Sequence, residues 1–215
     1  MRPIDPTTTT TGADRDDTRV DHDETAVDRD EFEHFSELVR RRRTSMIVDR
    51  HREVPLDLIA ELCGLVTWAP NHKKTWPWRF AVFTGAGRAR LGDTMAADML
   101  AADFGDQAKR DKTRTKYLRT PVTLVVGCAP HDDEMLHAEN RDAVAAGVQN
   151  LLLGATTLGL ASFWSTPALT DAPGVLELCG FEPGDRIVGI VYLGWSAQDC
   201  PAPDRPQLPI THVTH

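Results

Sequence analysis

The chain has no Cys-x-x-Cys pair: Cys63, Cys128, Cys179 and Cys200 stand far apart. That spacing suggests neither a zinc site nor a disulfide framework, and it fits reduced thiols in a cytoplasmic setting. No Gly-x-Ser-x-Gly elbow occurs, so a side-chain nucleophile has no support. Positive charge is the minority sign, with 24 Lys and Arg against 32 Asp and Glu and a net charge of −8. An acidic chain repels phosphate backbones, which argues against nucleic acid as a partner. The N-terminus lacks the apolar core of a signal peptide. The Gly85-Ala86-Gly87 step lacks the third glycine of a dinucleotide fingerprint, because position 90 is Arg. It reads as a plain strand-to-helix turn. One stretch, Ala143 to Thr170, lacks any charge and is long enough to span a bilayer. Gln149, Asn150, Thr156 and Thr157 lie in its middle and Gly147, Gly154 and Gly159 interrupt it. A buried helix followed by a strand is therefore expected, and no membrane span.

What is present suits one globular domain. Apolar residues make up 41% and charged residues 26% of 215 positions, enough to build a sizeable core. Residues 1–31, with the Thr7–Thr11 run, many Asp and few large apolar residues, read as a disordered acidic tail. Residues 32–215 read as the folded domain. Phe32, Phe35, Leu38 and Val39 have helical spacing. Pro55 opens a second helix with the stripe Leu58, Ile59, Leu62, Cys63, Leu65 and Val66, which the Ala69-Pro70 step should end. Strands are expected at Arg79–Phe83, Pro121–Gly127, Ala161–Trp164 and Arg186–Gly194. Helices are expected at Arg88–Ala102, around Gln107–Leu118, at Asn140–Leu160 and at Pro173–Cys179. The fold class is α+β, with helices packed around a small mixed or antiparallel sheet. The helix from Asn140 is apolar almost all round, which places it centrally or at an interface.

Two polar groupings stand out. Arg40-Arg41-Arg42-Arg43, then Thr44 and Ser45, combine guanidinium forks with hydroxyls, the chemistry of a phosphate site. Solvated cations at a helix C-terminus are the competing explanation. His131, Asp132, Asp133, Glu134, His137 and Glu139 lack metal-ligand spacing and suit a helix start, where acidic residues oppose the dipole. No catalytic side chain and no metal ligand is therefore assigned. That pattern is compatible with an enzyme whose cofactor carries the chemistry.

Five segments, in order, resemble the nitroreductase family, most closely its short, YdjA-like branch. They are Arg42-Arg43-Thr44; Ala69-Pro70-Asn71-His72-Lys73 with Pro77-Trp78-Arg79-Phe80; Gln149-Asn150-Leu151 leading to Gly159-Leu160-Ala161-Ser162; Trp164-Ser165-Thr166-Pro167-Ala168-Leu169; and Ile187 to Gly194. The resemblance implies a nitroreductase-like fold over residues 32–215 and a homodimer with FMN at the subunit interface, contacted by both chains. It also implies ping-pong turnover, with NAD(P)H as donor and a nitroaromatic, quinone or other small molecule as electron acceptor. By that resemblance Arg42, Arg43 and Thr44 hold the phosphate and ribityl chain. His72, Trp164, Ser165 and Thr166 line the flavin, and Trp68 stands where a partner-chain contact occurs. It also implies that the helix carrying Leu152 packs against its partner, with Leu152 on the contacting surface. Trp76 replaces a common Gln and Lys74 a common Asn, so polar contacts to the ring differ there. A flavin-binding storage or sensor protein without turnover, or an oxidase or dehalogenase on the same fold, are the alternatives.

Overall fold

The computed structural model describes residues 29–214. Of the tail expected over residues 1–31, residues 1–28 lie outside them, whereas Arg29, Asp30 and Glu31 form the first turn of helix α1, Arg29–Arg41. Four strands make one sheet: β1 Trp78–Phe83, β2 Val122–Cys128, β3 Leu160–Ser165 and β4 Arg186–Trp195. Their order is β1-β2-β4-β3, and every pairing is antiparallel. Central β2 is buried at every position, as its β-branched run requires of a strand covered on both faces.

Alternation along β2 and β4 divides the core. Val122, Leu124, Val126, Val191 and Leu193 face α2, Leu56–Gly64, and α5, Glu134–Thr157. Val125, Ile190 and Tyr192 face α3, Gly87–Ala101, and α6, Pro173–Cys179. Helix α4, Gln107–Lys116, packs on α3. The register of β2 against β4 slips between Val126 and Gly127. This bulge reverses the alternation, so Ile187 joins the α3 side while Val188 packs toward α5.

The second apolar stripe ends differently from the sequence expectation. Helix α2 stops at Gly64, and Leu65–Trp68 form a separate 3-10 turn. Val66 of that turn rests on α5 at Gly147. A Cβ there would come within 2.7 Å of the Val66 carbonyl oxygen, so only glycine permits the approach. Helix α5 begins before Asn140 because the Asp133 side chain accepts a hydrogen bond from the Leu136 amide, 2.9 Å, and caps it.

Helix α5 buries Asn140, Ala143, Val144, Gly147, Val148, Leu151, Leu152 and Ala155 in its own chain. Leu152 is 5% exposed and belongs to the core, not to an outer contacting surface. The face left open carries Asp142, Ala146 and Gln149, small or polar residues that the all-round apolar character of the sequence concealed. No helix among the described residues is long and apolar enough to cross a membrane.

Candidate functional site

The chain leaves α1 in an extended segment laid along β3, the edge strand. Thr44 bridges Ser162 in parallel fashion, and the Ser45 amide donates to the Ser162 carbonyl, 2.9 Å. Extended backbone sends successive side chains to opposite sides. Arg41, Arg43 and Ser45 consequently line one cavity of about 550 Å³, together with Thr156 and Ala161. Arg42 and Thr44 point away from it.

The arginines have different work. Arg43 Nε donates to the Pro201 carbonyl, 3.1 Å, and its Nη1 donates to the Arg42 carbonyl, 2.8 Å, and to the Arg40 carbonyl. Its fork is spent on backbone, tying the C-terminal segment to the end of α1. Arg42 is half-buried and its guanidinium is held below its ordinary pKa, first by burial and then by Arg205 and Arg43. Three like charges therefore press together, and no carboxylate is paired with Arg42 among the described residues. An oxyanion placed there relieves both the repulsion and the desolvation. Arg205 was not singled out from sequence. A lone arginine among Pro201, Pro203 and Pro206 was its only signal.

Strand β3 carries Trp164, Ser165 and Thr166 onward from Ser162. The pyrrole side of the Trp164 indole packs against β4 at Gly189, where a Cβ would sit 2.0 Å from Nε1. The ring is 37% exposed, leaving its outer surface free. The Ser165 hydroxyl donates to the Thr166 carbonyl, 3.3 Å, and Thr166 is exposed. Thus Arg42, Arg43, Thr44, Trp164, Ser165 and Thr166 share one edge of the sheet.

Trp68 and His72 are elsewhere. Trp68 ends the 3-10 turn and is 84% exposed. The following loop is clamped to α5: Asn71 Nδ2 donates to Thr75 Oγ1, 2.9 Å, and Thr75 donates to buried Asn140, whose own amide donates to the Ala129 carbonyl, 3.3 Å. The Trp76 amide donates to Asn71 Oδ1, 3.0 Å. Lys73, Lys74 and Trp76 have φ of 57°, 53° and 52°, a left-handed backbone costly for non-glycine residues. Strain at three positions in a loop held this firmly marks a segment shaped to present side chains. His72 Nδ1 meets Glu139 Oε2 at 2.7 Å, which leaves Nε2 directed outward.

The two groups are far apart within one chain. From Glu139, beside His72, to Thr156, beside Arg43, the axis of α5 runs roughly 25 Å at about 1.5 Å per residue. Apolar surface also remains uncovered: Phe32, Phe35 and Val39 on α1, with Trp68 and Trp76, are 40–84% exposed, and α1 has no buried residue.

Three of the four cysteines are held away from the thiolate form. Burial pushes Cys63 to about 11 and Cys179 to about 12. Burial, aided by Asp185, pushes Cys128 to about 11. The polar cluster before α5 serves the helix start: the Asp133 amide donates to His131 Nδ1, 3.0 Å, and the His131 amide donates to His137 Nδ1, 3.3 Å.

Comparison with known proteins bears on this arrangement. The model of the nitroreductase family matches residues 39–195. YdjA of Escherichia coli K12, whose name carries a provisional NAD(P)H nitroreductase assignment, is 34% identical over 128 residues, covering 59% of this chain and 69% of YdjA. A nitroreductase-like protein of Bacillus cereus superposes with a TM-score of 0.71 at 27% identity, covering 82% of this chain and 95% of that one. A Bacteroides fragilis nitroreductase with bound FMN superposes at 0.66 with 21% identity, covering 83% and 98%.

Proposed function

The chain belongs to the nitroreductase family, and from that premise we propose that it is an FMN-dependent NAD(P)H oxidoreductase whose flavin sites are shared between two copies of the chain. The observation that carries this reading is the crowding of Arg42 by Arg205 and Arg43, with no carboxylate paired to any of the three among the described residues. The cluster is an anion cradle at the edge of the strand whose next residues, Trp164 to Thr166, offer an open aromatic face. The donor set fits a flavin phosphate. Arg42 and Thr44 project to one side, Arg205 faces them, and the Ser165 and Thr166 positions lie further along β3 toward a ring.

Bound FMN supplies hydride acceptance from NAD(P)H and its delivery to an acceptor. The chain's own residues bind and orient. Arg42, Thr44 and Arg205 fix the phosphate, Arg43 holds the C-terminal segment in place, and Trp164 walls the ring side. The separation of roughly 25 Å along α5 supports a site that draws on two chains in place of one. The second copy supplies Trp68 and His72, and its surface covers Phe32, Phe35 and Val39. For a nitroaromatic acceptor the net step balances as NAD(P)H, one proton and the nitro group giving NAD(P)+, the nitroso group and water. No protein nucleophile is required, in keeping with the raised thiols of Cys63, Cys128 and Cys179.

The test is spectroscopic. The purified protein is expected to be yellow and to release FMN on denaturation. Anaerobic NADH or NADPH should bleach it, and an added quinone or nitroaromatic should restore the colour over many cycles. A colourless protein that takes up no added FMN overturns the cofactor assignment. A yellow protein that neither nicotinamide bleaches supports binding without turnover.

A further inference from the structure

A second cavity opens beside Thr166, and neither the phosphate cradle nor the loop of His72 accounts for it. Its volume is about 430 Å³, within the usual range for small-ligand pockets. Val188, at the β4 bulge, and Cys128 beside it on β2 form an apolar floor on the α5 side of the sheet, one residue from Gly189 where Trp164 rests. The walls are His137, Arg141, Thr166 and Arg186. Two guanidiniums and an imidazole face a space whose lining contains no carboxylate.

These groups are not equally committed. Arg186 already meets Asp171 at 3.4 Å. Arg141 makes no hydrogen bond or ion pair among the described residues. His137 accepts the His131 amide at Nδ1, which puts its own proton on Nε2 as a donor. Asp185, the nearby acid, is 2% exposed and turned away to Arg79 at 3.3 Å.

We propose that this cavity seats the electron acceptor, and that it selects an aromatic acid, the ring lying on Val188 and Cys128 and the carboxylate meeting Arg141. A carboxylate suits the planar fork of arginine, and a flat ring suits the apolar floor of Val188 and Cys128 beside Thr166. The proposal rests on the reading of the flavin site, because Thr166 belongs to both. A nicotinamide pyrophosphate is the other anion this charge could serve, and the test separates the two.

The probes are 4-nitrobenzoate and its methyl ester, which differ by the charge. Calorimetry on the oxidised holoprotein, with no nicotinamide present, reads binding independently of turnover. Wild type is expected to bind the acid at least tenfold more tightly than the ester. Arg141→Gln should bring that ratio close to one, Arg141→Lys should restore part of it, and Arg186→Gln should lower it less. The ratio of kcat/KM for acid over ester should follow the same order. Equal affinity for acid and ester in wild type overturns the proposal. So does an undiminished preference in Arg141→Gln, or a variant that slows bleaching by NAD(P)H in place of acceptor reduction. If the acid is preferred but no nicotinamide is oxidised, the pocket assignment stands and the oxidoreductase reading fails.

Discussion

Arg42→Ala is expected to strip FMN from the protein while leaving riboflavin binding nearly unchanged. A hydrogen bond to a charged group contributes about 1.5–3 kcal/mol, so FMN affinity should fall roughly 10- to 150-fold. The variant also removes the middle of three crowded guanidiniums, so the apoprotein should become no less stable, and only the phosphate's binding energy is lost. Arg43→Ala should behave differently. Its donors hold the carbonyls of Arg40, Arg42 and Pro201, so its loss should loosen the C-terminal segment and reach FMN only through displacement of Arg205. Fluorescence titration of apoprotein with FMN and with riboflavin decides the matter. Equal weakening of both ligands by Arg42→Ala contradicts the phosphate role.

The second large effect separates core from contact surface. Leu152→Asp puts a carboxylate among Leu62, Val148 and Leu151, where no partner exists. Loss of the packed side chain and burial of charge should together cost about 4 kcal/mol or more, a fall in Tm on the order of 10 °C or more for a domain of this size. Ala146→Arg lies only six positions earlier but is exposed, between Asp142 and Gln149 on the open face of α5. It should leave the fold intact, with Tm measured at low concentration changed little, yet give a monomer that no longer retains flavin. Sedimentation and visible absorbance report the two effects. A folded Ala146→Arg dimer with full colour places the subunit contact elsewhere.

Those two substitutions show where the sequence was legible. Continuous β-branched runs located β2 and β4 within a residue or so, because only strands buried on both faces use them. Pro173 and the following apolar residues located α6 for the equally local reason that proline suits a first helical turn. Helix α5 was recognisable as central, but being apolar nearly all round it gave no periodic signal of which face was covered. Leu152 was therefore assigned to the outside, although it packs in the same core as Val66 and Leu151. Four consecutive arginines likewise carry no pattern. Their division into a proposed phosphate ligand, Arg42, and a tethering residue, Arg43, comes from the Thr44–Ser162 bridge, a contact remote in sequence. Arg205 joins them only through the folded path of the C-terminal segment. The positive φ values at Lys73, Lys74 and Trp76 were invisible because no glycine marks them, and tertiary clamping by Asn71, Thr75 and Asn140 imposes them.

The central claim, an FMN site assembled from two chains, is tested most directly by combining two defective subunits. Arg42→Ala damages the phosphate cradle, and His72→Asp puts a second carboxylate beside Glu139 in the loop proposed to reach the partner's flavin. Each variant alone should purify colourless. Co-expressed under two affinity tags and isolated as the mixed dimer, they leave one site wholly intact, with its cradle from one subunit and its loop from the other. The account predicts one FMN per two chains and recovery of NAD(P)H oxidation in that mixed dimer. A mixed dimer as colourless as its parents would show that cradle and loop serve the same chain, and would contradict the shared site.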